Sequence, residues 1–213
     1  MKLYKLTDKN LKAFNGFDWA PFLERKEAAP RLVGGELCSD GVYHAYTSPL
    51  VAILINPIHA DFRHPRMLEV GGKICINDGM KVGCPTLRPL REIPIPEITK
   101  EQRVKFGIFC ALSVYKNKRF ITWAKDWLSG KDRTKESAYA ADYAAASAAY
   151  AATYEAASAA FAAASAATYA AAFAVGDCAT YEAAFAVGDC AAYAVKATEG
   201  INLARLARRA CSK

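Results

Sequence analysis

Three histidines are the side chains best suited to acid–base or metal chemistry at neutral pH: His44, His59 and His64. His59 with Asp61, or His64 with Cys38, has donor atoms for a metal ion, but the spacing matches no familiar ligand pattern. The sequence therefore predicts no metal site. His44 lies in a β-rich run between turn residues, where a structural histidine with satisfied ring nitrogens is the simpler interpretation.

The other reactive side chains fit no familiar catalytic motif. The chain has no Gly-x-Ser-x-Gly segment and no P-loop, and its acidic residues are too scattered for a glycosidase pair. The seven cysteines are an odd number without a Cys-x-x-Cys pair, which disfavours a disulfide framework and a zinc site. Residues 1–8 lack the apolar core of a secretion signal. We therefore expect a cytoplasmic location, no membrane partner and no cofactor.

These residues must be positioned by two regions of different composition. All nine prolines lie within residues 1–96, and the chain after Pro96 is typical of helix. The sequence therefore predicts an α+β fold, with a β-rich N-terminal domain at 1–96 and an all-α, Ala-rich stack of short helices at 97–213. A capping box at Thr99–Gln102 predicts the first of these helices. The predicted strands are 3–6, 42–46, 66–70, 72–76 and an edge strand at 91–95, with 66–70 and 72–76 paired around Gly71-Gly72.

The Ala-rich region, residues 136–195, contains 30 alanines in 60 positions and no Lys, Arg or Pro. The segment Phe173–Cys178 recurs 12 residues later as Phe185–Cys190. This period predicts stacked helices of about nine residues, each ended by a glycine and begun by a capping side chain. Breaks are expected at Gly176 and Gly188, with Asp177 and Asp189 as caps. The buried rings would be Tyr150, Phe161, Phe173 and Phe185. The alternative is a longer Ala-rich helix that continues through the early caps.

Charge is segregated along the chain, whose net charge is +7. Residues 1–135 have a balance of +9, residues 136–195 a balance of −6, and the tail from Lys196 a balance of +4. An acidic face on a repeat scaffold suggests stoichiometric binding of a basic protein partner. The predicted contact residues are Asp142, Glu155 and Glu182. The basic balance of residues 1–135 leaves nucleic acid as a less favoured partner.

One segment carries a resemblance to a known family. Cys38-Ser-Asp-Gly-Val-Tyr-His-Ala45, followed by Pro49-Leu50, Leu68-Glu-Val70 and Arg91-Glu92, resembles an uncharacterised domain of phage and bacterial proteins with a Cys-x-x-Gly-x-x-His segment. That domain often precedes Ala-rich repeats of the immunity-protein kind. The second cysteine of the family segment is Ala45 here. The resemblance implies a non-enzymatic immunity or counter-defence protein, and it implies no catalytic activity.

The same segment supports an alternative function. Residues 41–49 also resemble a strand of ADP-ribosyltransferase-like folds, in which a tyrosine stacks on nicotinamide and a later glutamate acts on the ribose. This resemblance implies a nucleotide ligand and catalytic roles for His44 and Glu92. The first strand departs from that pattern, because Tyr4-Lys5 stands where a histidine or arginine is expected.

Overall fold

A computed structural model describes residues 1–149, 155–173 and 180–212. The chain forms two compact units, Met1–Glu97 and Ile98–Lys213. The predicted boundary was Pro96. The combination of two three-stranded sheets with several helices confirms the α+β class.

Strands dominate the first unit. They are β1 (Lys2–Thr7), β2 (Tyr43–Ala45), β3 (Arg66–Gly72), β4 (Ile76–Asn77), β5 (Val82–Cys84) and β6 (Leu87–Ile93). One antiparallel sheet has the order β1-β3-β6 and the other the order β2-β5-β4. Paired backbone hydrogen bonds of 2.9 and 2.8 Å between Tyr4 and Tyr46 join β1 to the end of β2. The two sheets therefore meet at these residues.

Three short helices complete the first unit: α1 (Ala20–Arg25), α2 (Pro49–Leu54) and α3 (Asn56–His59). The Ser48 side chain caps α2 by accepting a hydrogen bond from the backbone of Val51. The core lies around Trp19, which is fully buried and packs edge-on against the ring of Tyr43 at 5.2 Å.

The predicted hairpin around Gly71-Gly72 is wrong. β3 continues through both glycines and pairs with β1 and β6, whereas β4 pairs with β5. A Cβ atom at Gly72 would lie 2.6 Å from the Leu87 side chain. The glycine therefore permits close packing within the sheet and does not form a turn. The predicted edge strand is confirmed, although β6 spans Leu87–Ile93.

The second unit is helical in its described part. Its helices are α4 (Lys100–Val114), α5 (Lys118–Ser129), α6 (Lys135–Ala149), α7 (Glu155–Phe173), α8 (Thr180–Ala197) and α9 (Leu203–Cys211). The predicted capping box is confirmed. The Thr99 side chain accepts a hydrogen bond from the Gln102 backbone N–H, and the Gln102 side chain accepts one from the Thr99 backbone N–H. The last turn of α5 ends at Gly130, which has a φ of 79°.

The division of the Ala-rich region into helices of about nine residues is wrong. α7 has 19 residues and α8 has 18, and Gly188 and Asp189 lie inside α8 instead of at a break. One interior glycine costs a helix about 1 kcal/mol relative to alanine, and the alanine-rich surroundings favour continuation. Gly176 and Asp177 lie outside the described residues. The structure thus contains the longer Ala-rich helices of the alternative.

The core of the helical unit is built from small side chains. Phe185, predicted to be buried, is 41% exposed, whereas alanines of α7 and α8 are buried. The Cys190 Sγ lies 3.0 Å from the carbonyl oxygens of both Gly107 and Ala163, so the backbones of α4, α7 and α8 approach closely. Tyr150 and the side chains of Phe161 and Phe173 lie outside the described residues.

Candidate functional site

A cavity of about 380 Å³ opens in the first unit and brings together several titratable side chains. Lys5 comes from β1 and His44 from β2. Tyr46 directly follows β2, and His59 ends α3. Lys81 comes from the turn before β5. The Tyr4–Tyr46 bridge brings the first two strands side by side, so residues far apart in the sequence share one cavity. Aromatic side chains complete the lining: Phe14, Phe17, Tyr43 and Phe62.

Lys5 is the least ordinary side chain of this cavity. It is only 8% exposed, and its ammonium lies 5.6 Å from the centre of the Trp19 ring. Among the ion pairs of the described residues, none involves Lys5. Burial, reinforced by the positive charge of Lys81, lowers the pKa of Lys5 to about 8. A buried cation without a carboxylate partner can receive an anion from solution.

The two histidines of the cavity are neutral at pH 7. Burial, followed by the charges of Lys5 and Lys81, lowers the pKa of His44 to about 4, although Asp78 opposes the shift. His44 Nε2 accepts a hydrogen bond of 2.9 Å from the Cys38 backbone N–H, so its proton is on Nδ1. Burial and then Lys81 lower the pKa of His59 to about 4 as well. Neutral rings of this kind can donate a hydrogen bond to an anion without adding a buried charge.

His59 is oriented by Tyr46. The Tyr46 hydroxyl and His59 Nδ1 are 3.2 Å apart, and the two rings stack with centres 6.0 Å apart. Burial raises the pKa of Tyr46, so its hydroxyl keeps its proton. When this hydroxyl donates to Nδ1, the His59 proton is on Nε2.

Cys38 lies at the rim of the cavity in a left-handed conformation with a φ of 65°. Its sulfur is 3.0 Å from the Lys81 ammonium. Gly41 lets the loop close, because a Cβ atom there would collide with the carbonyl group of Gly34. The Cys-x-x-Gly-x-x-His segment therefore forms a closed loop, in which the Cys38 backbone N–H donates a hydrogen bond to the His44 ring.

Glu92, the other residue of the alternative catalytic pair, is not among the residues that line the cavity. Its carboxylate forms a two-point ion pair with Arg66 across neighbouring strands, with Arg66 Nε donating to Oε1 at 2.7 Å. These hydrogen bonds lower the pKa of Glu92. The structure thus brings His44 to the cavity and commits Glu92 to a partner on β3.

The three predicted partner-binding residues have different surroundings. Asp142 is half-buried, and its carboxylate accepts hydrogen bonds of 2.6 Å from Ser165 and 3.2 Å from Thr168. It therefore joins α6 to α7. Glu182 is exposed in the first turn of α8. Glu155 begins α7, and its side chain lies outside the described residues.

Sequence reasoning missed Lys5 and Lys81 as parts of a site. One signal was available for Lys5, which stands where the ADP-ribosyltransferase-like pattern expects a histidine or arginine on the first strand. For Lys81 there was no comparable signal, because a lysine in a turn is ordinarily solvated.

In the part of the chain that the structure describes, no group of three or more His, Cys, Asp or Glu residues is placed to hold a metal ion. No helix of the described residues is long and apolar enough to cross a membrane. The six described cysteines are free thiols. In comparisons of the chain with protein families, characterised proteins and solved structures, nothing matches it.

Proposed function

We propose that the first unit binds a small phosphorylated ligand of the nucleotide type in the cavity around Lys5. The observation that carries this proposal is the buried ammonium of Lys5, which has no carboxylate partner and lies in a cavity lined by aromatic side chains. Removing a cation from water is costly unless an opposite charge compensates it, and a bound phosphate would supply that charge. Lys81 lines the same cavity and adds a second positive charge.

The aromatic lining favours a nucleotide over inorganic phosphate. Phe14 lines the cavity and is 79% exposed, so much of its ring is available to a flat base. Aromatic side chains stack on bases with a gain of about 1–3 kcal/mol. A cavity of about 380 Å³ lies in the size range of small-molecule sites.

Binding is a better supported activity than ADP-ribosyl transfer. The transfer alternative needs a carboxylate beside the ribose, and the Glu92 carboxylate is held by Arg66 instead. Asp40 is the acidic residue that lines the cavity. We therefore propose nucleotide binding without group transfer, in a protein of the cytoplasm.

Titration calorimetry of the full chain with ADP, NAD, ADP-ribose and inorganic phosphate tests this function. We expect saturable binding of at least one nucleotide. Lys81→Met should weaken it by about 10-fold or more, because a hydrogen bond to a charged group contributes about 1.5–3 kcal/mol. Phe14→Ala should weaken nucleotide binding and leave phosphate binding unchanged. Lys12→Met, at an exposed lysine, is the matched control. The proposal is contradicted if none of these compounds binds saturably.

Stoichiometric binding of a basic protein partner by the second unit is the second candidate, of the immunity or counter-defence kind. The observation that favours it is the exposed carboxylate of Glu182 in a region without basic residues. We expect Glu182→Lys to abolish capture of a basic partner with little change in melting temperature. Asp142→Asn should instead lower the melting temperature, because it weakens the bonds to Ser165 and Thr168. Unchanged capture by Glu182→Lys would remove this candidate.

A further inference from the structure

Lys5 is a primary amine that faces a cavity while its surroundings oppose its protonation. Its side chain is 8% exposed, and the face of the Trp19 ring lies beside the nitrogen. We propose that Lys5 is a reactive amine that forms an imine with an aldehyde or ketone bound in the cavity.

The geometry supplies both conditions that activate a lysine. Desolvation and a neighbouring cation each favour the neutral amine, and the burial of Lys5 and the charge of Lys81 provide them here. At a pKa of about 8, roughly one quarter of Lys5 is the free amine at pH 7.5. An ordinary surface lysine has about one part in a thousand in that form at the same pH.

The reaction needs no oxidant or reductant. The nitrogen lone pair attacks the carbonyl carbon, a C–N bond forms, and the carbonyl oxygen takes up a proton while the nitrogen loses one. The resulting carbinolamine then loses its hydroxyl group and the second nitrogen proton as water, which leaves a C=N bond. Water carries these protons at the open cavity. The free N–H groups of the neutral His44 and His59 rings can donate hydrogen bonds to the carbonyl oxygen and to the departing hydroxyl group.

The second lysine selects the class of carbonyl compound. Once Lys5 has become an uncharged imine, Lys81 is the lysine of the cavity that stays positively charged, and it attracts an anionic group. The expected ligand is therefore an anionic carbonyl compound, such as a phosphorylated aldehyde. This preference for an anion rests on the proposed nucleotide-type binding, whereas the imine itself does not.

Reductive trapping tests the inference on the full chain. The protein is incubated at pH 7.5 with a limiting amount of pyridoxal 5′-phosphate and then reduced with borohydride. A parallel reaction uses pyridoxal, the same aldehyde without the phosphate group. Peptide mass spectrometry compares the label at every lysine. We expect the Lys5 peptide to carry at least 10 times the label of any other peptide. The preference should vanish when the same reaction is run in urea.

Each outcome separates the two proposals. Label spread evenly over the lysines of the folded chain overturns the imine proposal. Preferential labelling of Lys5 by both aldehydes, without competition from inorganic phosphate or ADP, supports the imine and contradicts the anion-binding function. Lys5→Arg should remove the dominant label, because arginine stays charged and does not form the imine. Lys12→Arg, an exposed-lysine control, should retain it.

Discussion

Replacing Trp19 by alanine should lower the free energy of unfolding of the first unit by about 3–5 kcal/mol, the range for large aromatic residues removed from a core. Trp19 is fully buried, and its ring contacts those of Phe17 and Tyr43 at 4.9 and 5.2 Å. The same ring lies beside the Lys5 ammonium, so its loss also removes the aromatic face against which Lys5 packs. Labelling of the Cys84 thiol at increasing urea concentrations reports this unit alone, because Cys84 is fully buried in its core.

Two variants make this expectation specific. Trp19→Phe keeps an aromatic ring and should cost less than Trp19→Ala. The Trp19 indole N–H has no hydrogen-bond partner in the structure, so replacing it with phenylalanine removes no hydrogen bond. Phe14→Ala removes an aromatic ring that lines the cavity and is 79% exposed, and should change stability by less than about 0.5 kcal/mol. Equal destabilisation by Trp19→Ala and Phe14→Ala would contradict the assignment of Trp19 to the core.

The parts of the fold that were predicted correctly depend on local rules. The capping box at Thr99 is a chemical signal that lies within four residues of the chain. The α+β class follows from the distribution of proline and alanine along the sequence. These features need no knowledge of tertiary contacts.

The errors arose where tertiary packing decides the outcome. Gly188 has the sequence signature of a helix end, yet it lies inside α8 among small residues that pack closely against neighbouring helices. Gly72 has the signature of a turn, yet its lack of a side chain makes room for Leu87 on the adjacent strand. Both glycines satisfy a spatial requirement set by a partner element, which the local sequence does not display.

The candidate site was predictable only in part for the same reason. His44 was identified as a chemically capable residue on a strand, but its neighbours come from segments far along the chain. Lys5 reaches the cavity because β1 meets β2 through Tyr4 and Tyr46, and Lys81 reaches it through the second sheet. Pairing over such separations depends on the whole fold. Glu92 was predicted as a catalytic residue because it lies on a predicted strand. Its ion pair with Arg66 depends on the register of β3 with β6, which the sequence does not show.

Lys5 should make the stability of the first unit increase with pH in the alkaline range. Its pKa is about 8 in the folded chain, against about 10.4 for an unfolded lysine. Below pH 8 the amine is protonated in both states, and the folded chain bears the full cost of the buried charge. Between pH 8 and 10.4 the folded chain releases its proton first, so this cost disappears as the pH rises. The shift corresponds to about 3 kcal/mol at most.

Lys5→Met should therefore be more stable than the native chain by about 1–3 kcal/mol at pH 7, since methionine fills similar space without charge. The difference between the two proteins should fall toward zero near pH 10.5, because native Lys5 is then neutral as well. Urea-dependent labelling of Cys84 at pH 7 and pH 10.5 measures both values, and subtraction removes the titration of groups common to the two proteins. Lys12→Met, at an exposed position, should show no such pH-dependent difference. A variant at Lys5 that is less stable than the native chain at pH 7 would mean that the ammonium is already compensated within the fold, and the cavity would then have no unmet charge with which to bind a phosphate.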